Sequence, residues 1–112
     1  MEDAVAGRET IAAGRGPRCP QPVGRRPGLL LSRDIAYRVR RSVTVAPLTR
    51  TVRDIPPEVP LGRADGLPES CVVNLDDIAT IPKARLGAPM VTLSPDRMRV
   101  VEGAIRFALD LS

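Results

Sequence analysis

The chain is 112 residues long and 43% hydrophobic, with one Phe, one Tyr and no Trp, so it is one domain with a lean, aliphatic core. No run of about 18 apolar residues is present, which excludes a membrane-spanning helix, and no positively capped apolar segment opens the chain as a signal peptide does. Histidine is absent, which removes the usual neutral-pH base and the commonest metal ligand, so catalysis must run on Arg, Asp, Glu, Ser, Thr or Tyr. The two cysteines, Cys19 and Cys71, form no CxxC motif. With no export signal they fit a reducing cytosol and a cytoplasmic protein.

The net charge is +4, and its placement says more than its size. Residues 25–53 carry eight arginines against Asp34 alone, while residues 54–112 carry nine acidic and six basic groups. Sixteen of the seventeen basic residues are Arg, whose planar fork suits phosphate oxygens. A GC-rich coding sequence accounts for much of that ratio but not for the clustering. One contiguous block is therefore expected to carry the positive field.

In chain order, residues 1–22 are rich in Gly, Pro and Arg and are expected to be loosely organised, with "ETIAA" as a short edge strand. Gly28–Ser32 reads as a buried strand. Before it, Arg25 and Arg26 stand against Pro27, which fixes its own φ and biases Arg26 toward an extended backbone. "DIAYRVRR" reads as a basic loop with a helical turn. "SVTVAPLT" alternates as a strand, and Pro47, which cannot donate to a ladder, predicts an edge or a bulge there.

Further strands are predicted at Glu58–Leu61, at Cys71–Leu75, briefly within "ATIPKARLG", and at "PMVTL". The last element is a helix, with Ser94 as N-cap, Pro95 at its first position and Asp96 in its first turn. Met98, Val101, Ile105 and Ala108 recur at helical spacing, flanked by Val100, Ala104, Phe107 and Leu111. So wide a stripe serves the core and leaves surface for a subunit contact. Short strands with Pro/Gly turns and one closing helix predict a mainly β fold, a small antiparallel barrel.

Four blocks resemble one family. "GRRPGLLLSRD" is similar to the "RRPVLVLS" block of the MazF/PemK (Kid) toxins. "SVTVAPLTRTVRDIPPEVPL" resembles their "VIVAPLT" strand and the "P-x-E-V-x-L" strand after it. "GLPESCVVNLDDIATIPKARL" and "LSPDRMRVVEGAIRFALDL" resemble their later strands and closing helix. The likeness runs over residues 23–112 in order and spacing, and residues 23–112 are taken as the toxin domain. It implies an SH3-like barrel with a C-terminal α-helix (the CcdB/MazF/PemK-like fold), usually a homodimer.

It also implies a metal-independent, cofactor-free endoribonuclease, the mRNA interferase of a toxin–antitoxin pair. Such an enzyme cuts single-stranded RNA through the 2′-OH, leaving a 2′,3′-cyclic phosphate and a 5′-OH, and a cognate antitoxin blocks it. Position by position, the resemblance makes Arg26 and Thr49 the catalytic pair, with Asp76 near the scissile site. Arg25, Arg33, Arg50 and Arg53 are candidate RNA-backbone contacts. The chain departs from the family at "GRETIAAG", where an aromatic strand such as "GEIWWADLG" is usual, at Gly28 for valine, and at Asp77 for glutamine. Two other functions stay open on the same fold: a CcdB-like gyrase-binding toxin, and a catalytically silent copy that binds only the antitoxin.

Overall fold

The computed structural model describes residues 10–14, 27–32 and 35–111. Its strands are β1 (Thr10–Gly14), β2 (Gly28–Leu30), β3 (Ser42–Thr49), β4 (Glu58–Leu61), β5 (Cys71–Asn74), β6 (Ala79–Pro82) and β7 (Leu86–Thr92). A one-turn helix, α1 (Ala36–Val39), precedes β3, and α2 (Pro95–Ala108) closes the fold. All pairings are antiparallel, in the order β4-β5-β3-β2-β1-β7 with β6 also on β3. This is the mainly β, helix-closed fold expected.

The leucine run explains how the sheet is covered. Successive strand side chains point to opposite faces. Leu29 joins a core with Leu48, Val59, Val73, Met98 and Val101, whereas Leu30 joins a second with Val43, Val45, Ile81 and Leu86. Both leucines are fully buried, so β2 is apolar on both faces because both are covered. Burying each contributes about 2 kcal/mol. Gly28, weak in a strand by itself, lies opposite Pro47 on one side and Ala12 on the other.

Three expectations need correcting. The "ETIAA" strand is not an edge: β1 pairs with β2 on one side and β7 on the other. Its alanines offered no alternation to read, and partners remote in sequence place it. The other residues of 1–22 lie outside the described residues.

Pro47 lies in a central strand, neither at an edge nor in a bulge. The N–H groups of Thr44 and Leu48 point toward the β2 side, to Ser32 Oγ at 2.8 Å and the Pro27 carbonyl at 3.0 Å. By alternation the Pro47 nitrogen faces away from β2. On that side β3 leaves β6 after Val45 and meets β5 at Leu48. The missing donor falls where the partner changes.

The third correction is at the end of β5. This strand stops at Asn74, and Leu75 begins a 3-10 turn, Leu75–Asp77. Asn74 Oδ1 accepts the Asp76 N–H at 2.9 Å, as an N-cap does.

Helix α2 begins as its sequence dictates, with Ser94 Oγ accepting the Arg97 N–H at 3.1 Å and Pro95 in the first turn. Met98, Val101 and Ala104 face the core. Arg97 Nε donates to Asp65 Oδ1 at 3.0 Å, and Asp65 Oδ2 accepts the Gly62 N–H at 3.0 Å. The helix is thereby tied to the 3-10 turn Arg63–Asp65. Val100, Phe107 and Leu111 remain exposed.

Candidate nucleic-acid interface

A cleft of about 480 Å³ opens at the end of β3. It is lined by Pro27, Leu48, Thr49, Arg50 and Thr51, and by Leu67, Pro68, Glu69, Cys71 and Met90. The antiparallel register explains the meeting. Thr49 is opposite Val72, which sets the start of β5 beside the end of β3. Pro27 reaches it because its carbonyl accepts the Leu48 N–H.

Thr49 is half-buried. Its Oγ1 accepts the Thr51 N–H at 3.1 Å, which takes one of the oxygen's two lone pairs and leaves its hydrogen to donate. Beside it, Arg50 Nη1 donates to both oxygens of Glu69, at 3.1 and 3.2 Å. Both side chains are well exposed, 77% and 56%, and exposed pairs contribute about 0–1 kcal/mol. This pair opens at little cost. Cys71 is the remaining titratable group of the lining. Burial first, then the charges of Asp65 and Glu69, push its thiol pKa up, away from a nucleophilic thiolate.

Of the residues singled out in the sequence, Thr49 and Arg50 line the cleft together. Arg53 is exposed in the loop after β3 but is not part of the lining, and Asp76 is exposed on the turn at the far end of β5 from Cys71. Arg25, Arg26 and Arg33 lie outside the described residues. No group of three or more Cys, Asp or Glu side chains placed to hold a metal occurs among the described residues, and no described helix is long and apolar enough to cross a membrane.

Sequence reasoning missed Glu58. It is buried, and its Oε1 accepts the backbone N–H groups of Arg53 and Asp54 at 2.9 and 3.0 Å. Asp54 sits at φ 57, a left-handed conformation costly for a side-chain-bearing residue. Glu58 thus holds the loop that follows Thr49 and Arg50. The available signal was a carboxylate opening an otherwise apolar strand, four residues after an aspartate.

Fold and cleft together define a small antiparallel β protein with a cleft of mixed polar and apolar lining where two strands end. Residues 11–109 match the family model of PemK-like, MazF-like toxins of type II toxin–antitoxin systems, and the chain belongs to that family. Endoribonuclease MazF3 of Mycobacterium tuberculosis is 38% identical over 86 residues, 77% of this chain and 84% of that protein. Probable endoribonuclease MazF5 of the same species is 38% identical over 91 residues, 80% of this chain and 84% of that protein. Among solved structures, the Mycobacterium tuberculosis toxin MazF-mt6 superposes with a TM-score of 0.80 at 33% identity, over 92% of this chain and 98% of that one. An endoribonuclease in complex with its cognate antitoxin, from a Mycobacterial species, gives 0.80 at 29% identity, over 96% and 98%.

Proposed function

We propose that this protein is the endoribonuclease toxin of a toxin–antitoxin pair, cutting single-stranded RNA in the cytoplasm without a metal. The observation that supports it most directly is Thr49, held with its hydroxyl free to donate in a cleft that Pro27 and Arg50 also line. Relatives over most of the chain's length are named endoribonucleases.

In this reading the 2′-oxygen gives up its proton to solvent water and attacks the adjacent phosphorus. The bond to the 5′-oxygen breaks and that oxygen takes a proton from solvent water, leaving a 2′,3′-cyclic phosphate and a 5′-OH. Arg26, bonded to Pro27, supplies paired donors to the non-bridging oxygens as negative charge builds there. Thr49 adds a hydroxyl donor and holds the phosphate in register. Arg50, Arg53, Arg25 and Arg33 neutralise flanking phosphates, which makes binding salt-sensitive. No step is assigned to Asp76, which does not line the cleft.

The cognate antitoxin is the natural partner, as in the complex of the similar endoribonuclease. A second copy of the chain, covering exposed Val100, Phe107 and Leu111, completes a homodimer; a stable monomer by light scattering at micromolar concentration would exclude it.

The test is a labelled RNA incubated with protein in EDTA or Mg²⁺, its products checked for a cyclic phosphate end. Cleavage is expected undiminished in EDTA and about 100- to 1000-fold slower in Arg26→Ala. Arg26→Lys should restore little, because a point charge does not reproduce the two-pronged fork. A Mg²⁺ requirement, or normal cutting by Arg26→Ala, overturns the mechanism.

A further inference from the structure

A cleft meant for a polyanion should not hold a carboxylate, yet Glu69 lines this one. Its placement is not incidental. The Arg63–Asp65 turn ends in Gly66 at φ 91, and the Leu67 N–H returns to the Gly62 carbonyl at 3.3 Å. Pro68 then fixes its own φ, so Glu69 leaves a rigid turn in a set direction. Besides Arg50, its neighbours in the lining include three apolar side chains: buried Leu67, exposed Pro68, and Met90, which is 44% exposed for a large hydrophobic side chain.

Apolar side chains beside a few polar groups are how proteins receive a flat heterocycle. Sequence-selective RNA binders read unstacked bases along their hydrogen-bonding edges. We infer that Leu67, Pro68, Met90 and Glu69 form a nucleobase subsite that selects a base carrying an amino donor, guanine above the others.

The carboxylate geometry sets that order. A single nitrogen, Arg50 Nη1, now lies within bonding distance of both Glu69 oxygens, so the two accept along one open edge. Guanine offers that edge two parallel donors, its ring N–H and its amino group. Adenine and cytosine offer an amino group beside a ring acceptor. Uracil offers one ring N–H flanked by two carbonyl oxygens, which the carboxylate repels. The exposed ion pair gives way cheaply, and Arg50 turns to a phosphate as the base takes its place.

As a reading of cleavage specificity this rests on the endoribonuclease assignment, so the test has two arms. In the first, a random-sequence RNA is cut and the 5′-OH ends are sequenced. The wild type is expected to show one position near the cut rich in guanine and poor in uracil. In Glu69→Gln, whose amide both donates and accepts, the uracil share at that position should rise about tenfold, with preferences elsewhere retained.

The second arm needs no cleavage. Guanosine and uridine are titrated against the methyl NMR signal of Met90, in wild type and Glu69→Gln. Guanosine should shift it more strongly than uridine in the wild type only. An unchanged cleavage profile in Glu69→Gln, or equal responses to the two nucleosides, overturns the subsite. Guanosine-selective binding by a protein that cuts no RNA upholds the subsite and overturns the nuclease.

Discussion

Glu58 Oε1 accepts the backbone N–H of Asp54 at 3.0 Å, while Asp54 is held at φ 57. The carboxylate stabilises a backbone conformation that the loop would otherwise leave. Its other oxygen, Oε2, is buried without a hydrogen-bond partner among the described residues. Burial of this carboxylate therefore carries a cost, and the loop after Thr49 gains from it.

Replacing Glu58 by Ala removes the acceptor of two part-buried N–H bonds and should destabilise the fold by about 2 kcal/mol. Glu58→Gln keeps an acceptor oxygen and should cost about 1 kcal/mol less than Ala. Urea titrations of the three proteins measure this. Equal stability of Ala and Gln variants would show that the two N–H contacts contribute nothing.

Thr49→Val preserves shape and strand propensity but deletes the hydroxyl. Cleavage should fall about 100-fold, in line with loss of one fixed donor, while the melting temperature moves by only a few degrees. Thr49→Ser should keep most of the rate. A Val variant that cuts at the wild-type rate assigns Thr49 a purely structural place in β3.

Asp65 links two elements, accepting from Arg97 of α2 and from Gly62 of its own turn. Its side chain is only 10% exposed. Asp65→Asn loses the charge that Arg97 faces and should cost about 2 kcal/mol. Native-state amide exchange should locate the loss in the first turn of α2. Exchange that changes uniformly across the protein would contradict a local tie.

The Cys71 thiol has its pKa raised from 9.0 by burial and by the Asp65 and Glu69 charges. The neutral thiol is therefore favoured in the fold. Its stabilising contribution is complete below pH 9.0 and is lost as pH rises above it and the unfolded chain's thiol ionises. In a Cys19→Ser background, iodoacetamide should label the native protein more slowly than the urea-unfolded one at pH 8. Glu69→Gln should quicken native labelling, since it removes one of the raising charges. Equal rates in native and unfolded protein would refute the shift.

Much of this was legible in the chain. The leucines at 29 and 30 announced a buried strand, and Ser94-Pro95-Asp96 announced the start of α2. These signals are local, written in side-chain chemistry and spacing. What was hidden depends on partners far along the chain. The place of β1 comes from its pairing with β2 and β7, and Pro47 is tolerated centrally because β3 changes partner beside it. Thr49 and Arg50 were singled out as candidates in the sequence, and they share the cleft. Glu69 was not, because only the fold carries the segment after Gly66 to the end of β3.

The pairing of β1 with β7 sets Thr10 opposite Thr92, 82 positions apart in the chain. Closing so long a loop is entropically slow and rewarded only when both strands are present. A growing chain still on the ribosome, with β7 inside the exit tunnel, lacks that seam. It also lacks Met90, which β7 contributes to the cleft. The cleft is therefore finished only once the chain through β7 has emerged, so a nascent molecule of this protein carries no complete site.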